Sequence, residues 1–135
     1  MSESKPDRSE IQRLLAVAAR ELRDAGVEGL STDGSFEHAY GAALTLSTAV
    51  IRAEGERVHG PDHHRKTFEL LGSLADGRWS DLSDYFQHCR TRRNRAVYDV
   101  AGVASEGEAR ELREQVENFR ADVDRWLAES HPELR

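Results

Sequence analysis

A guanidinium stays protonated at any physiological pH and offers a planar fork of donors, which suits it to holding phosphate or carboxylate oxygens. Four arginines fall within the eleven residues Cys89-Arg90-Thr91-Arg92-Arg93-Asn94-Arg95-Ala96-Val97-Tyr98-Asp99, in a chain of 135 residues whose formal net charge is -6. On a helix turning ~100° per residue, Leu82, Phe86, Cys89, Arg93, Ala96, Val97 and Val100 share one face. Arg92, Arg95, Asp99 and His88 share the opposite face, and Arg90, Asn94 and Tyr98 follow the border between them at i, i+4, i+8. Arg93 therefore stands where an apolar residue belongs. A guanidinium in that place needs acceptors or a polar cleft, and a conflict between local pattern and residue type marks a candidate site. The plainer alternative is a solvated helix face, with Arg95 and Asp99 forming an i, i+4 pair worth a few tenths of a kcal/mol and Arg90 laying its stem over apolar atoms.

Other chemistry-bearing groups are sparse. His59, His63 and His64 cluster, but Gly60-Pro61 interrupts the i, i+4 spacing of His59 and His63, so a solvated helix N-terminus is expected and no metal site is assigned. His38, His88 and His131 are scattered, with His38 and His88 on expected outer faces. Cys89 is the sole cysteine, so an intrachain disulfide is impossible and a Cys-rich zinc site is excluded. Its place on an apolar face suits an inert thiol. There is no Gly-rich phosphate loop, nor an arrangement of Ser, His and Asp or of Cys and His suggesting a nucleophile. No cofactor is expected.

The elements that must position the arginines read as helices. The length suits one domain spanning 1–135, and 38% hydrophobic with 33% charged content suits a small helical protein. The negative charge argues against a surface that grips nucleic acid on every side, while allowing a local basic patch. Only Lys5 and Lys66 are lysines, a bias that GC-rich codon usage would produce. No apolar run is long enough to span a membrane and no signal-peptide pattern opens the chain, so a cytoplasmic protein is the default expectation.

Residues 1–8 are expected to be flexible. Asp7 and Glu10 suit the start of a helix over about 9–25, with Ile11, Leu14, Leu15, Ala18, Leu22 and Ala25 on its inner stripe and Gly26 after it. Thr32, Asp33 and Ser35 offer caps for a second helix carrying Phe36, Ala39, Tyr40, Ala43, Ser47, Val50 and Ile51 on one face. One more turn reaches Glu54, a second charge on an apolar stripe and the candidate ion-pair partner of Arg93. The alternative is that this helix frays near Gly55 and leaves Glu54 solvated. Gly60-Pro61-Asp62 breaks the chain before a third helix with Phe68, Leu71, Leu74 and Ala75 inward. Trp79 packs in the next connection, and Ser80 caps a fourth helix over about 81–101 that carries the arginines and stops at Gly102. Ser105 and Glu108 form a capping box for a fifth helix, whose Ala109, Leu112, Val116, Phe119, Val123 and Trp126 make a heptad-like seam. No stretch alternates as a strand does. The expected fold class is all-α, an up-and-down bundle of four to five helices.

Arg93-Asn94-x-x-x-Tyr98 on the fourth helix of such a bundle resembles the HEPN family (higher eukaryotes and prokaryotes nucleotide-binding domains). The likeness covers nearly the whole chain, including an Ala-rich second helix with aromatics near its start, Phe36 and Tyr40, a Gly-containing break, the basic helix and a long amphipathic last helix. In the family's ribonucleases an arginine, a polar residue and a histidine face a cleft between two protomers and cut RNA without metal. The resemblance places Arg93 and Asn94 at the first two positions and Tyr98 at the histidine. Near neutrality a tyrosine of pKa ~10 is a poor base beside a histidine of ~6.5, although it can hydrogen-bond a phosphate or stack on a base. Tyr98-Asp99 looks like the branch lacking the histidine, so catalysis is not carried over. The tyrosine that some members have modified corresponds to Val100, which removes that regulation.

What the resemblance implies is a bacterial HEPN-domain protein of a toxin–antitoxin or defence system, a homodimer, partnered by a minimal nucleotidyltransferase. Arg90, Arg93, Asn94 and Tyr98 would bind RNA or a nucleotide, supported by Glu54 and Asp99. Two competing expectations stand beside it. One is a metal-independent endoribonuclease using Arg93, Asn94 and Tyr98 with a substitute histidine such as His88. The other is a non-enzymatic helical adaptor whose arginines bind an acidic protein partner, which the negative net charge mildly favours.

Overall fold

The computed structural model describes residues 5–95, 102 and 104–135. Five α-helices follow one another: α1 (Arg8–Ala25), α2 (Thr32–Ala53), α3 (His63–Ser73), α4 (Ser80–Arg95) and α5 (Glu106–Ser130). Short 3₁₀ turns occupy Ala75–Gly77 and Pro132–Leu134, and no strand occurs among the described residues. The protein is an all-α bundle. No described helix is long and apolar enough to cross a membrane.

Side-chain caps set the starts of α1, α2 and α5, whereas Asp62 before α3 is left-handed and makes no side-chain cap bond. The Asp7 carboxylate accepts from the Glu10 amide at 2.8 Å, and Ser31 does the same for Gly34 at 3.0 Å. The expected capping box at α5 is complete: Ser105 accepts from the Glu108 amide at 3.1 Å and the Glu108 carboxylate accepts from the Ser105 amide at 2.9 Å. The expectation that residues 1–8 are flexible is corrected at its upper end, because Asp7 and Arg8 belong to the capped start of α1; residues 1–4 lie outside the described residues.

The centre of the bundle is α2. Every residue of its expected inner face is buried, and so are Ala42, Leu46, Ala49, Arg52 and Ala53 from other faces. Alanines at positions 39, 42, 43, 49 and 53 let neighbours approach closely, and α2 packs against α1, α5, α3 and α4. Its Ser47 hydroxyl is satisfied within the helix by the Ala43 carbonyl at 2.8 Å. The heptad-like seam of α5 is buried in full against this assembly, so it is an internal packing surface. Trp79 is buried as expected, its ring edge-on to Phe119 and Trp126 at 5.4 Å each and its indole N–H donating to Asp122 at 2.9 Å. Phe86 links two helix pairs, meeting Phe68 of α3 at 5.3 Å and Phe119 of α5 at 5.5 Å.

Candidate functional site

Along α4 the core stripe runs through Phe86 and Cys89, both buried. Burial pushes the Cys89 thiol up to about 11, leaving it protonated and inert near neutrality. One turn later the stripe reaches Arg93, which is half-buried. Arg93 Nε donates to both oxygens of Glu37 at 2.9 and 3.1 Å, and its guanidinium carbon lies 5.1 Å from the centre of the Tyr40 ring. Glu37 and Tyr40 are one turn apart on α2, so that helix offers a carboxylate and an aromatic face to one guanidinium. The Arg93 side chain keeps 34% of its exposure and Glu37 44%, so the pair sits at the surface.

Glu54 is corrected as the partner of Arg93. It lies seventeen positions beyond Glu37, at the other end of α2, where the helix stops at Ala53. Glu54 pairs instead with His131 Nε2 at 2.9 Å, and the His131 ring rests against Trp126 at 5.0 Å. The buried guanidinium of this fold belongs to Arg52. Its side chain is 2% exposed and donates to Glu10 at 3.0 and 3.2 Å and to the Glu56 carbonyl at 2.9 Å.

Around Arg93 the structure assembles groups that the sequence does not place together. Tyr40 is buried, and its hydroxyl lies 3.1 Å from His64 Nδ1. Burial raises the Tyr40 phenol to about 12 against the opposing pull of Arg93 and Arg90, so it stays protonated. Burial and then the Arg93 guanidinium, with smaller contributions from His63 and Arg90, hold His64 below the usual imidazole range. Near neutrality His64 is therefore uncharged. If the phenol donates to Nδ1, the imidazole keeps its proton on Nε2. Arg90 reaches the same neighbourhood from the border of α4. Its Nε donates to Gln87 at 2.8 Å, and Gln87 in turn donates to the Arg65 carbonyl of α3 at 2.9 Å.

No family model, curated protein or solved structure matches this chain.

The remaining motif residues divide by face. Asn94 and Arg95 are exposed on α4. Arg92 turns away from Tyr40 and pairs with Glu108 at 2.7 Å, tying α4 to the start of α5. His88 is exposed. Tyr98, Asp99 and Val100 lie outside the described residues. The three clustered histidines diverge in role, His64 meeting Tyr40 and His63 lying 3.5 Å from the Thr67 hydroxyl. His64 had one legible signal: it precedes the core residue Phe68 by a turn, so it shares that inner face. Glu37 had none, because it is an exposed acid whose role comes only from the packing of α2 on α4. Among the described residues, the group whose ligand atoms converge as a metal would need is Glu21, Asp24 and His38.

Proposed function

We propose that this chain binds a phosphate-bearing ligand, RNA or a nucleotide, on the α4 surface that carries Arg90, Arg93 and Asn94. The observation that carries the reading is Arg93. Its guanidinium is oriented by Glu37, backed by the Tyr40 ring and still one-third exposed, beside Arg90 and an uncharged His64. A pre-oriented guanidinium presents its remaining donors to phosphate oxygens with little ordering left to do, and a concentrated basic patch suits local binding in a chain of net charge -6. The resemblance to the HEPN family supports the same reading. On it, the chain is a dimeric component of a toxin–antitoxin or defence system and works beside a minimal nucleotidyltransferase.

The test is fluorescence anisotropy with a labelled single-stranded RNA across a salt series. Wild type binds, and the Arg90→Ala/Arg93→Ala variant loses at least ~10-fold in affinity with a shallower salt dependence, since each released phosphate contact removes about 0.7 from the slope on single strands. Equal affinity in that variant would overturn the reading.

One observation favours a second reading, the metal-independent endoribonuclease. The neutral imidazole that chemistry needs is supplied beside Arg93 by His64, where His88 is exposed on α4. RNA cleavage that persists with a chelator and vanishes in His64→Ala would establish it; binding without cleavage leaves the first reading.

A further inference from the structure

The last turns of α1 and the first turns of α2 bring together a second group of side chains, separate from the arginine surface. Glu21 and Asp24 are spaced i, i+3 and share one side of α1. His38 faces them from α2, with Nδ1 3.3 Å from Glu21 Oε1. One ligand atom from each of the three lies within 4.8 Å of the other two, and all three residues are half-buried.

Two features of this group go beyond a simple Glu21–His38 ion pair. Asp24 has no side-chain hydrogen bond or ion pair among the described residues, yet its carboxylate converges on the carboxylate of Glu21. The two acids stand at the C-terminal end of α1, where the helix dipole already places negative charge and opposes them. The neighbouring Arg23 lines a groove with Arg113 and Arg120 and forms no ion pair with either acid among the described residues. Gly41 fixes where the Glu21 carboxylate sits. A Cβ at that position would lie 2.5 Å from Glu21 Oε2, so the glycine leaves the space in which the Glu21 carboxylate sits against α2.

We propose that Glu21, Asp24 and His38 form a binding site for a divalent cation of the zinc class, which bridges α1 and α2. One imidazole nitrogen with two carboxylate oxygens selects a first-row transition metal over magnesium or calcium, which prefer all-oxygen shells. Three protein ligands leave at least one position for water. Neutralising two converging carboxylates relieves their repulsion, and a cation bound only by the folded chain stabilises the α1–α2 hairpin.

The test is a zinc titration of chelator-treated protein against a competing chromophoric indicator. One equivalent should bind, and the thermal midpoint should rise with zinc concentration. His38→Ala, Glu21→Gln and Asp24→Asn should each weaken binding by ~10-fold or more. Gly41→Ala, which keeps every ligand but crowds Glu21, should weaken it too. His63→Ala/His64→Ala should leave it unchanged. Circular dichroism of each variant without zinc establishes that the fold is retained. Affinity for single-stranded RNA should not change in Asp24→Asn, which separates this site from the arginine surface. No zinc bound at tens of micromolar would overturn the proposal, as would binding that survives Asp24→Asn and His38→Ala together.

Discussion

The Arg52 guanidinium, 2% exposed, meets both oxygens of the Glu10 carboxylate at 3.0 and 3.2 Å, joining the end of α2 to the start of α1. Among the described residues, Arg52 is the arginine that the bundle buries in its core. Taking the partner from a buried charge costs ~3–5 kcal/mol. Glu10→Ala, which takes the carboxylate from the buried Arg52 guanidinium, should therefore lower the midpoint of urea unfolding strongly. Arg52→Ala should lower it through lost packing, since Glu10 is 20% exposed and keeps Arg57 at 3.7 Å. The double change Arg52→Met/Glu10→Leu should recover most of the Glu10→Ala loss, because neither charge then remains uncompensated. Equal damage from Glu10→Ala and the double variant would show that packing, and not charge, sets the cost.

Asp122 serves two partners at once. It accepts from Arg78 Nε at 3.0 Å and from the buried Trp79 indole at 2.9 Å. Asp122→Ala leaves the indole N–H without its acceptor, so a loss of ~1–3 kcal/mol is expected together with a shift in tryptophan emission. The hydrogen bond from Arg78 holds the Asp122 carboxyl below its usual value. Its contribution is present above the unfolded carboxylate range and is lost as pH falls through the lowered folded value, which Asp122→Ala should flatten.

His64 gives a pH dependence of its own. Burial and Arg93 lower its folded value, whereas in the unfolded chain it titrates near ~6.5. Between those values the unfolded chain holds a proton that the folded chain does not, so acid favours unfolding. The stabilisation is complete above about pH 6.5 and is lost as pH falls through the folded value. Unfolding measured from pH 7.5 to 5 should be less pH-sensitive in His64→Gln than in wild type. An unchanged slope would show that charging the His64 imidazole costs the fold nothing.

Periodicity carries much information about the helices here and little about their mutual placement. The stripes of α1, α2 and α5 were legible because each apolar residue recurs at helical spacing, and Ser105 with Glu108 announced its capping box. Arg93 was legible as an exception to its stripe for the same reason. Its partner was not, because the pairing of Glu37 with Arg93 depends on how α2 crosses α4. Of the two readings of Glu54, the helix end near Gly55 is the one the structure has: α2 stops at Ala53 before the left-handed Gly55, φ 80°, although Glu54 there pairs with His131 and is not simply solvated. Arg52 escaped notice because a one-sided reading of α2 cannot show a helix buried on several faces. Glu10 read as a cap residue, although its carboxylate reaches across to Arg52.

Glu37 orients the Arg93 guanidinium through Nε, but its negative charge also opposes a phosphate at the remaining donors, and the two substitutions that separate these effects have opposite outcomes. The Arg93–Glu37 pair is surface-exposed on both sides, so it contributes only ~0–1 kcal/mol, and the contact of Arg93 with Tyr40 adds about 0.5–1 kcal/mol. Arg93→Ala should thus change unfolding stability far less than Glu10→Ala, while weakening RNA binding. Glu37→Gln removes a carboxylate that holds Arg93 and repels an incoming anion, but keeps a side-chain acceptor. Its affinity for single-stranded RNA should rise above wild type, most clearly at low salt where exposed charges are least screened. In the double variant Glu37→Gln/Arg93→Ala the gain should shrink, since part of it acts through Arg93. If Arg93→Ala instead unfolds the protein and Glu37→Gln leaves RNA affinity untouched, the pair is a structural clasp and the arginine surface is not a binding site.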